Sequence, residues 1–350
     1  MRPQACIVDH SFHKVTHSFD FIRSILAQEY ELDVFWDDAW NGGHHVPVEQ
    51  LNNFDTIFFF QALNSFKELS QIRGNIVWIP MFDDVTRRRA FWLKLSTLPI
   101  KVICFSKKLH DFISNLGVSS LSVQYYLNPM LYKQTTDYKT RRVFFWLRGN
   151  IGFDTISLIL GDNKIDSMDV RWEPDPNANV TEPDETFIRK YNVNITRGFL
   201  KREEYLALVS RNNLFIAPRL KEGIGISTLE ALAMRQCVIA HDDSTMNEYI
   251  CDGKNGFLFD AQNPRQIDLS NFETLAQQSH KSCVQGCERW QNDIQRILEF
   301  VQAPRIQRRP DTVLLKLYII WVTFIDIIGK WVIRSFRALK TIKQIVSSQE

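Results

Sequence analysis

Short apolar runs rich in β-branched and aromatic residues alternate along this chain with stretches of helical period. In the first half the runs fall at 5–11 (ACIVDHS), 32–37 (LDVFWD), 56–62 (TIFFFQA), 75–82 (NIVWIPMF), 101–106 (KVICFS) and 120–126 (SLSVQYY). A second series falls at 142–149 (RVFFWLRG), 168–173, 193–199, 213–219, 237–242 and 256–260. Runs of this length, apolar on both faces, are what strands of a covered parallel sheet require. Between them, 17–30, 107–117, 153–160, 202–211, 226–235 and 245–252 carry helical spacing, and a longer helical stretch follows Pro264 to about Val301. Gly117 supplies a helix-ending signal. The alternation predicts two doubly wound α/β units in tandem. Residues 128–141 are polar, contain Pro129 and have no apolar period, so they read as a linker between a first unit (1–127) and a second (142–302).

The most informative loop is PRLKEGIGISTLEALAM, 218–234, which leads from an apolar strand into a helix. Gly223 and Gly225 leave the backbone bare, so the amides of Gly223, Ile224, Gly225, Ile226 and Ser227 sit at or near a helix N-terminus. Free N–H groups and the helix dipole favour an anion there. Arg219 and Lys221 add positive charge, which makes a phosphate or diphosphate the natural guest. Glu222 and Glu230 frame the loop with seven residues between them. A carboxylate beside a phosphate site is costly unless it serves another group, and sugar hydroxyls are suited to it. The bland alternative is that Glu222 is solvated and that Glu230 merely favours the first turns of the helix.

EGIGISTLE resembles the signature of two glutamates, seven residues apart, of the retaining glycosyltransferases of family four, the group 1 type. ALAMRQCVIA (231–240) and TMNEYICDGKNGFLF (245–259), with Glu248, Asp252, Gly253, Asn255 and Gly256, resemble two further segments of that family in the same order and spacing. The resemblance implies a GT-B fold, two Rossmann-like domains facing across a cleft. It implies that Glu222 contacts the donor sugar near the reacting centre, that Glu230 binds the ribose, and that the amides of Gly223 to Ser227 cradle the diphosphate. The backbone near Gly198–Leu200 would meet the base. The family needs no metal or other cofactor, and its donor would be a UDP- or GDP-sugar.

The chain departs from the family pattern in places. Arg148 fits the basic residue after the first strand of the second domain, but the family's lysine five residues on is replaced by Phe153. Arg219 and Lys221 are the candidates to supply the missing charge. The first domain has DHSFHKVTHS in place of a glycine-rich loop, with His10, His13, Lys14 and His17 after the first strand; His17 is a candidate catalytic residue. Spacings of three and four among these histidines also allow a metal, although no carboxylate or cysteine completes a convincing set. After the fourth strand, IPMFDDV offers Asp83 as a second candidate beside the acceptor or donor sugar; the alternative is a helix N-cap. The pair Asp37–Asp38 reads as solvated at a strand end.

Composition adds one feature. The whole chain, 45% hydrophobic and 23% charged, carries a net charge of only +2, which excludes a generic nucleic-acid binder or a disordered chain. Residues 305–350, however, hold nine Lys/Arg against three Asp/Glu, leaving the preceding 304 residues at a net −4. In 313–346, Lys316, Thr323, Asp326, Lys330, Arg334, Arg337 and Lys343 form one polar stripe on an otherwise apolar helix, with Trp321, Trp331 and Phe336 beside it. The longest uncharged run, Leu317–Ile325, is nine residues, short of the ~20 that span a bilayer. Residues 303–350 therefore read as a basic amphipathic tail on a membrane surface, with docking on the first domain as the alternative. Cys6, Cys104 and Cys237 lie in apolar runs and read as core thiols of a reduced, cytoplasmic protein; Cys283 and Cys287 are too few for a zinc site. The N-terminal apolar stretch is too short for a signal peptide.

Together these readings predict a two-domain glycosyltransferase, peripheral on the inner face of the plasma membrane. It would move a sugar, with retention, to a saccharide or lipid-linked acceptor in cell-surface polysaccharide or O-antigen synthesis. The rivals are a nucleotide-sugar epimerase of the same fold and a non-catalytic sugar-nucleotide-binding protein.

Overall fold

The computed structural model describes residues 2–176, 178–307, 312–325 and 327–328. It contains two six-stranded parallel sheets. The first is built from β1 (Gln4–His10), β2 (Glu31–Asp37), β3 (Thr56–Phe60), β4 (Asn75–Ile79), β5 (Ile100–Cys104) and β6 (Ser119–Ser122), in the order β2-β1-β3-β4-β5-β6. The second uses β7 (Arg142–Leu147), β8 (Ser167–Trp172), β9 (Val193–Arg197), β10 (Leu214–Ile216), β11 (Cys237–His241) and β12 (Phe257–Phe259), in the order β12-β11-β10-β7-β8-β9. All twelve apolar runs are strands. The burial of each strand follows its place: β3 and β5, inside the first sheet, are buried at every residue, whereas β2 and β9, at sheet edges, are largely half-exposed and carry the polar residues.

The strand order decides where ligands can sit. In each sheet consecutive crossovers run one way from one strand and the other way from its neighbour. The reversal falls between β1 and β3 in the first sheet and between β7 and β10 in the second. Beyond the C-terminal ends of such a pair the loops splay apart and open a crevice. The loop after β7 carries Arg148, and the loop after β10 carries Arg219 to Gly225, so the sequence candidates of the second domain lie at its switch point.

The segment between the sheets is tied to the second one from Thr135 onward. Thr135 donates to the carbonyls of Met234 and Asn212, and the Tyr138 hydroxyl donates to Arg235 O at 2.6 Å. A 31-residue helix, Phe272–Gln302, then runs back to the first domain; at 1.5 Å per residue it spans about 46 Å. Its start packs Phe272, Leu275 and Ala276 into the second core, and its end places Ile297, Leu298 and Val301 in a cluster with Ala5, Ile7 and Tyr30. Its last carbonyls are met from the first domain, where Asn75 Nδ2 donates to Val301 O at 2.9 Å and the buried Lys101 donates to Ala303 O. A cation suits the negative end of a helix dipole.

This helix already covers the first domain, the alternative role considered for the tail. Residues 313–325 and 327–328 of the tail are helical. Leu314, Leu317, Ile320, Trp321, Phe324 and Ile327 are all more than half exposed, and among the described residues of this segment only Val322 is buried. Asp326, Lys330, Trp331, Arg334, Phe336, Arg337 and Lys343 lie outside the described residues. No helix among the described residues is long and apolar enough to cross a membrane.

One expectation, the solvated Asp37, is corrected, and one alternative, the helix cap at Asp83, is excluded. Asp37 is fully buried at the end of β2, where contacts with His45 Nδ1 at 2.8 Å and the Ala39 amide at 3.0 Å replace the water it loses, while Asp38 stays exposed. Asp83 does not cap a helix. Residues 81–85 form a turn, with the Asp84 and Val85 amides donating to Met81 O, and the next helix starts only at Arg89.

Candidate active site

The loop from β10 leaves the strand through Pro218 and reaches the helix Ile226–Ala233 by way of Gly225, which has a left-handed backbone and caps the helix without any side-chain hydrogen bond. The first amides of this helix are thus left to solvent or a ligand. Gly223 is where the two domains touch. A β-carbon there would lie 2.6 Å from Met81 Sδ and 2.9 Å from Met81 Cβ, just past the C-terminal end of β4, so a larger residue fits only if Met81 moves.

Three acids and two bases meet beside this loop. Arg148 Nε donates to Asp175 Oδ1 at 2.7 Å, and Arg219 Nη2 reaches both Asp175 oxygens at 2.7 and 2.8 Å. Arg219 Nη1 turns the other way, 3.8 Å from Asp83 Oδ2 and 4.0 Å from Glu222 Oε2. Asp83 belongs to the first domain, so this guanidinium spans the cleft. Burial pushes the Glu222 carboxyl up from its ordinary 4.5 to about 7; Arg219 pulls it down and Asp83 pushes it further up. Burial also raises Asp83, against the pull of Arg219. For Arg219 burial opposes the charge, but Glu222, Asp175 and Asp83 together hold the guanidinium above its ordinary value. Displaced carboxyl groups that converge in a cleft single this cluster out as the candidate site.

The remaining candidates divide. Lys221 does not join Arg148 and Arg219; it faces Asp243 at 3.7 Å. Of the two candidates for the missing charge, only Arg219 shares a partner with Arg148. Glu230, 1% exposed, is turned onto Arg202 and Tyr205 from the helix Arg202–Ser210, and burial raises its carboxyl. Gly198 is exposed after β9 with φ +86°, next to Phe199, which is 74% exposed. Ile224 is buried, and Ile226 and Ser227 are half-buried at the helix start.

The structure does not bring His17 to this group. It ends a single helical turn on the surface and pairs with Asp20 Oδ2 at 3.0 Å. The loop's other histidines lie closer in: His13 is buried against Asp9 at 2.6 Å, and His10 stacks on Trp40 within electrostatic reach of Asp84. No three His, Cys, Asp or Glu among the described residues are grouped to hold a metal ion.

Asp175 and the partners of Glu248 were not legible in the sequence. Asp175 stands in WEPDPN, an acid just past the end of β8, and that position at a strand's C-terminal edge was the available signal. Glu248 accepts from Ser106 Oγ (2.9 Å), Ser244 Oγ (2.8 Å) and the amides of Lys107 (2.7 Å) and Lys108 (3.3 Å). One carboxylate of the second domain therefore caps the helix Lys107–Ser114 of the first.

Residues 187–278, which include this loop and both glutamates, match the family model described as Glycosyl transferases group 1. Over that segment the chain is similar to the group 1 glycosyltransferases. No curated protein matches it by sequence. Among solved structures, it is similar to HepE of Anabaena in complex with UDP and glucose, at 13% identity and a TM-score of 0.59, over 85% of this chain and 100% of that one. It is likewise similar to sucrose-phosphate synthase from Thermosynechococcus elongatus, at 12% identity and a TM-score of 0.59, over 85% of this chain and 98% of that one. The apo lipopolysaccharide outer core galactosyltransferase WaaB is similar at 11% identity and a TM-score of 0.57, over 85% of this chain and 99% of that one. At such identities the likeness establishes the fold, which is GT-B, and the segment that matches the family model lies in its second domain.

Proposed function

We propose that this protein transfers a glycosyl group from a UDP- or GDP-sugar to a saccharide acceptor, with retention and without a metal ion. The observation that carries the reading is the convergence of Arg148, Arg219 and Glu222 with the uncapped start of helix Ile226–Ala233 at the second switch point, opposite Asp83. The diphosphate would lie on those amides and guanidinia, which offset the negative charge that grows as the C1–O bond breaks. Glu222 would face the donor sugar from the second domain. Asp83 would face the sugar or the acceptor hydroxyl from the first. The ribose would reach Glu230 by displacing Arg202, whose side chain is half-exposed.

Thermal shift against UDP, GDP and their sugars tests the donor. Stabilisation by the diphosphates of one base is expected, growing with ligand concentration as mass action requires. Failure of every nucleoside diphosphate to stabilise the protein sinks the reading. Incubation with the stabilising nucleotide sugar alone should leave the sugar unchanged; conversion to an epimer would favour the epimerase instead.

The acceptor is read as lipid-linked, in cell-surface polysaccharide synthesis, because the helical residues 313–325 present apolar side chains on nearly every face and the tail carries net +6. The full chain is expected to float with vesicles containing anionic lipid and to be released by truncation after residue 304. Equal flotation of the truncated protein would remove the membrane from the proposal.

A further inference from the structure

We infer that Asp175 is the positioning residue of the donor site, yoking Arg148 and Arg219 into one clamp for the diphosphate. The inference rests on the donor reading above and explains how a chain lacking the family's second basic residue after β7 assembles its anion site. Two guanidinia side by side repel one another, and each has a long, flexible stem. A single carboxylate that accepts from both holds them in register through charge-assisted hydrogen bonds. Arg148 uses Nε and Nη2 on Asp175, and Arg219 uses Nη2 alone. Among the described residues neither Nη1 group bonds to Asp175, and Arg219 Nη1 faces Asp83 and Glu222 across the cleft.

The yoke is itself rigid. The Asp175 amide donates to Arg148 O at 3.0 Å, so backbone and side chain of the two residues are tied twice. The Ala178 amide donates to Asp175 O at 3.0 Å, closing a turn. That turn lies over Gly149, whose φ of +119° and whose absent β-carbon, which would stand 2.6 Å from Ala178 Cβ, allow the approach. Beneath, the Arg148 guanidinium rests 4.6 Å from the centre of the Trp146 ring. Arg148 is therefore fixed from two sides, and Arg219 is fixed by sharing its partner. Arg148, Arg219 and Asp175 by themselves sum to one positive charge, which Asp83 and Glu222 face at 3.8 and 4.0 Å from Arg219. A competing plug would instead cover the outer nitrogens, and it is Arg219 Nη1 that remains 3.8 and 4.0 Å from its nearest acids.

Asp175→Asn keeps the volume and the turn but gives up the charge that gathers the two arginines. Titration calorimetry with UDP and GDP, and saturation-transfer NMR with uridine and guanosine, separate phosphate binding from base binding. For whichever diphosphate the wild type binds, the variant should lose affinity at least tenfold, with nucleoside binding unchanged. Donor KM should rise more than kcat falls. Asp175→Glu, which keeps the carboxylate, should recover part of the loss and also serves if the Asn variant is unstable. In an Arg219→Ala background Asp175→Asn should add little, because the yoke then has one arm. Unchanged or tighter diphosphate binding in Asp175→Asn overturns the inference, as does an equal loss of nucleoside binding. A wild type that binds neither UDP nor GDP removes the donor reading itself, which is a different result from a binding wild type and an indifferent variant.

Discussion

Replacing Glu222 with Gln is expected to lower the transfer rate by roughly 10²–10³-fold, the scale seen when one preorganised electrostatic partner of a transition state is removed. The variant should bind the nucleoside diphosphate as well as the wild type or better, because a negative group 4.0 Å from Arg219 has been neutralised. The same substitution carries a signature in pH. With its carboxyl held up at about 7, Glu222 loses its charge as pH falls through neutrality. If the ionised form is the active one, wild-type kcat/KM declines on the acid side of about 7, and Glu222→Gln lacks that limb. Stability moves the opposite way. Between 4.5 and about 7 the folded protein holds this proton and the unfolded chain does not, so folding loses free energy as pH rises across that window. The loss reaches on the order of 3 kcal/mol if the site stays dry, and less where water enters. Glu222→Gln should therefore unfold at a higher temperature than the wild type at pH 8 and at nearly the same temperature at pH 4.5. Wild-type turnover by the variant, or an acid limb that survives in it, would remove Glu222 from the reacting centre.

What could be read from the sequence was whatever is carried by neighbours along the chain. The twelve strands were legible because a buried parallel strand must be apolar at nearly every position, and the runs stand out against amphipathic helices. β10 is shorter than its run: the pattern predicts strand over 213–219, yet pairing stops at Ile216, since Pro218 has no amide to give and the chain is already turning toward Gly223 and Gly225. The single-turn helices Val48–Leu51 and Phe66–Leu69 left no periodic signal, because four residues are about one turn. The helix Glu185–Tyr191 was passed over beside an edge strand, although Asp184 caps it through the Phe187 amide at 2.7 Å. Side-chain partnerships were the least legible. Arg148 and Arg219 find Asp175 at separations of 27 and 44 residues, and nothing local announces it. Lys221 and Arg219, two apart on an irregular loop, looked equivalent, but the loop sends one to Asp175 and the other to Asp243. His17 was chosen among histidines whose order along the chain says nothing of which way a one-turn helix points them.

Glu248→Ala is expected to loosen the hold of one domain on the other. In the wild type its carboxylate takes four donors, two hydroxyls and two amides, and three of those four lie in the first domain, 140 to 142 residues away in sequence. The amides are the first of helix Lys107–Ser114, so the acid also meets the positive end of that dipole. Charge-assisted bonds of this kind contribute about 1.5–3 kcal/mol each when measured singly, and a buried amide left unpaired costs about 1–3 kcal/mol. Ser106 Oγ still accepts from the Leu109 amide and water can reach the rim, so the net loss falls to roughly 2–4 kcal/mol. Lys108–Asp243, at 2.6 Å across the same seam, is an exposed pair with lysine 58% accessible and supplies the comparison: Lys108→Ala should cost no more than about 1 kcal/mol. Glu248→Ala should lower the unfolding temperature clearly more than Lys108→Ala. It should also enlarge the radius of gyration in small-angle scattering, because Met81 against Gly223 and Arg219 near Asp83 are contacts that a parted cleft surrenders. Transfer should fall with it, since Asp83 and Glu222 come from opposite domains and serve one site only while the domains stay together. Glu248→Gln should recover part of each effect, as an amide oxygen in the place of Oε1 still accepts from Ser106, Ser244 and Lys108 while its NH2 opposes the Lys107 amide. Scattering indistinguishable from wild type, with an unfolding temperature matching that of Lys108→Ala, would mean that the seam is held by apolar packing around Tyr125, Tyr249 and Trp290 and not by this cap.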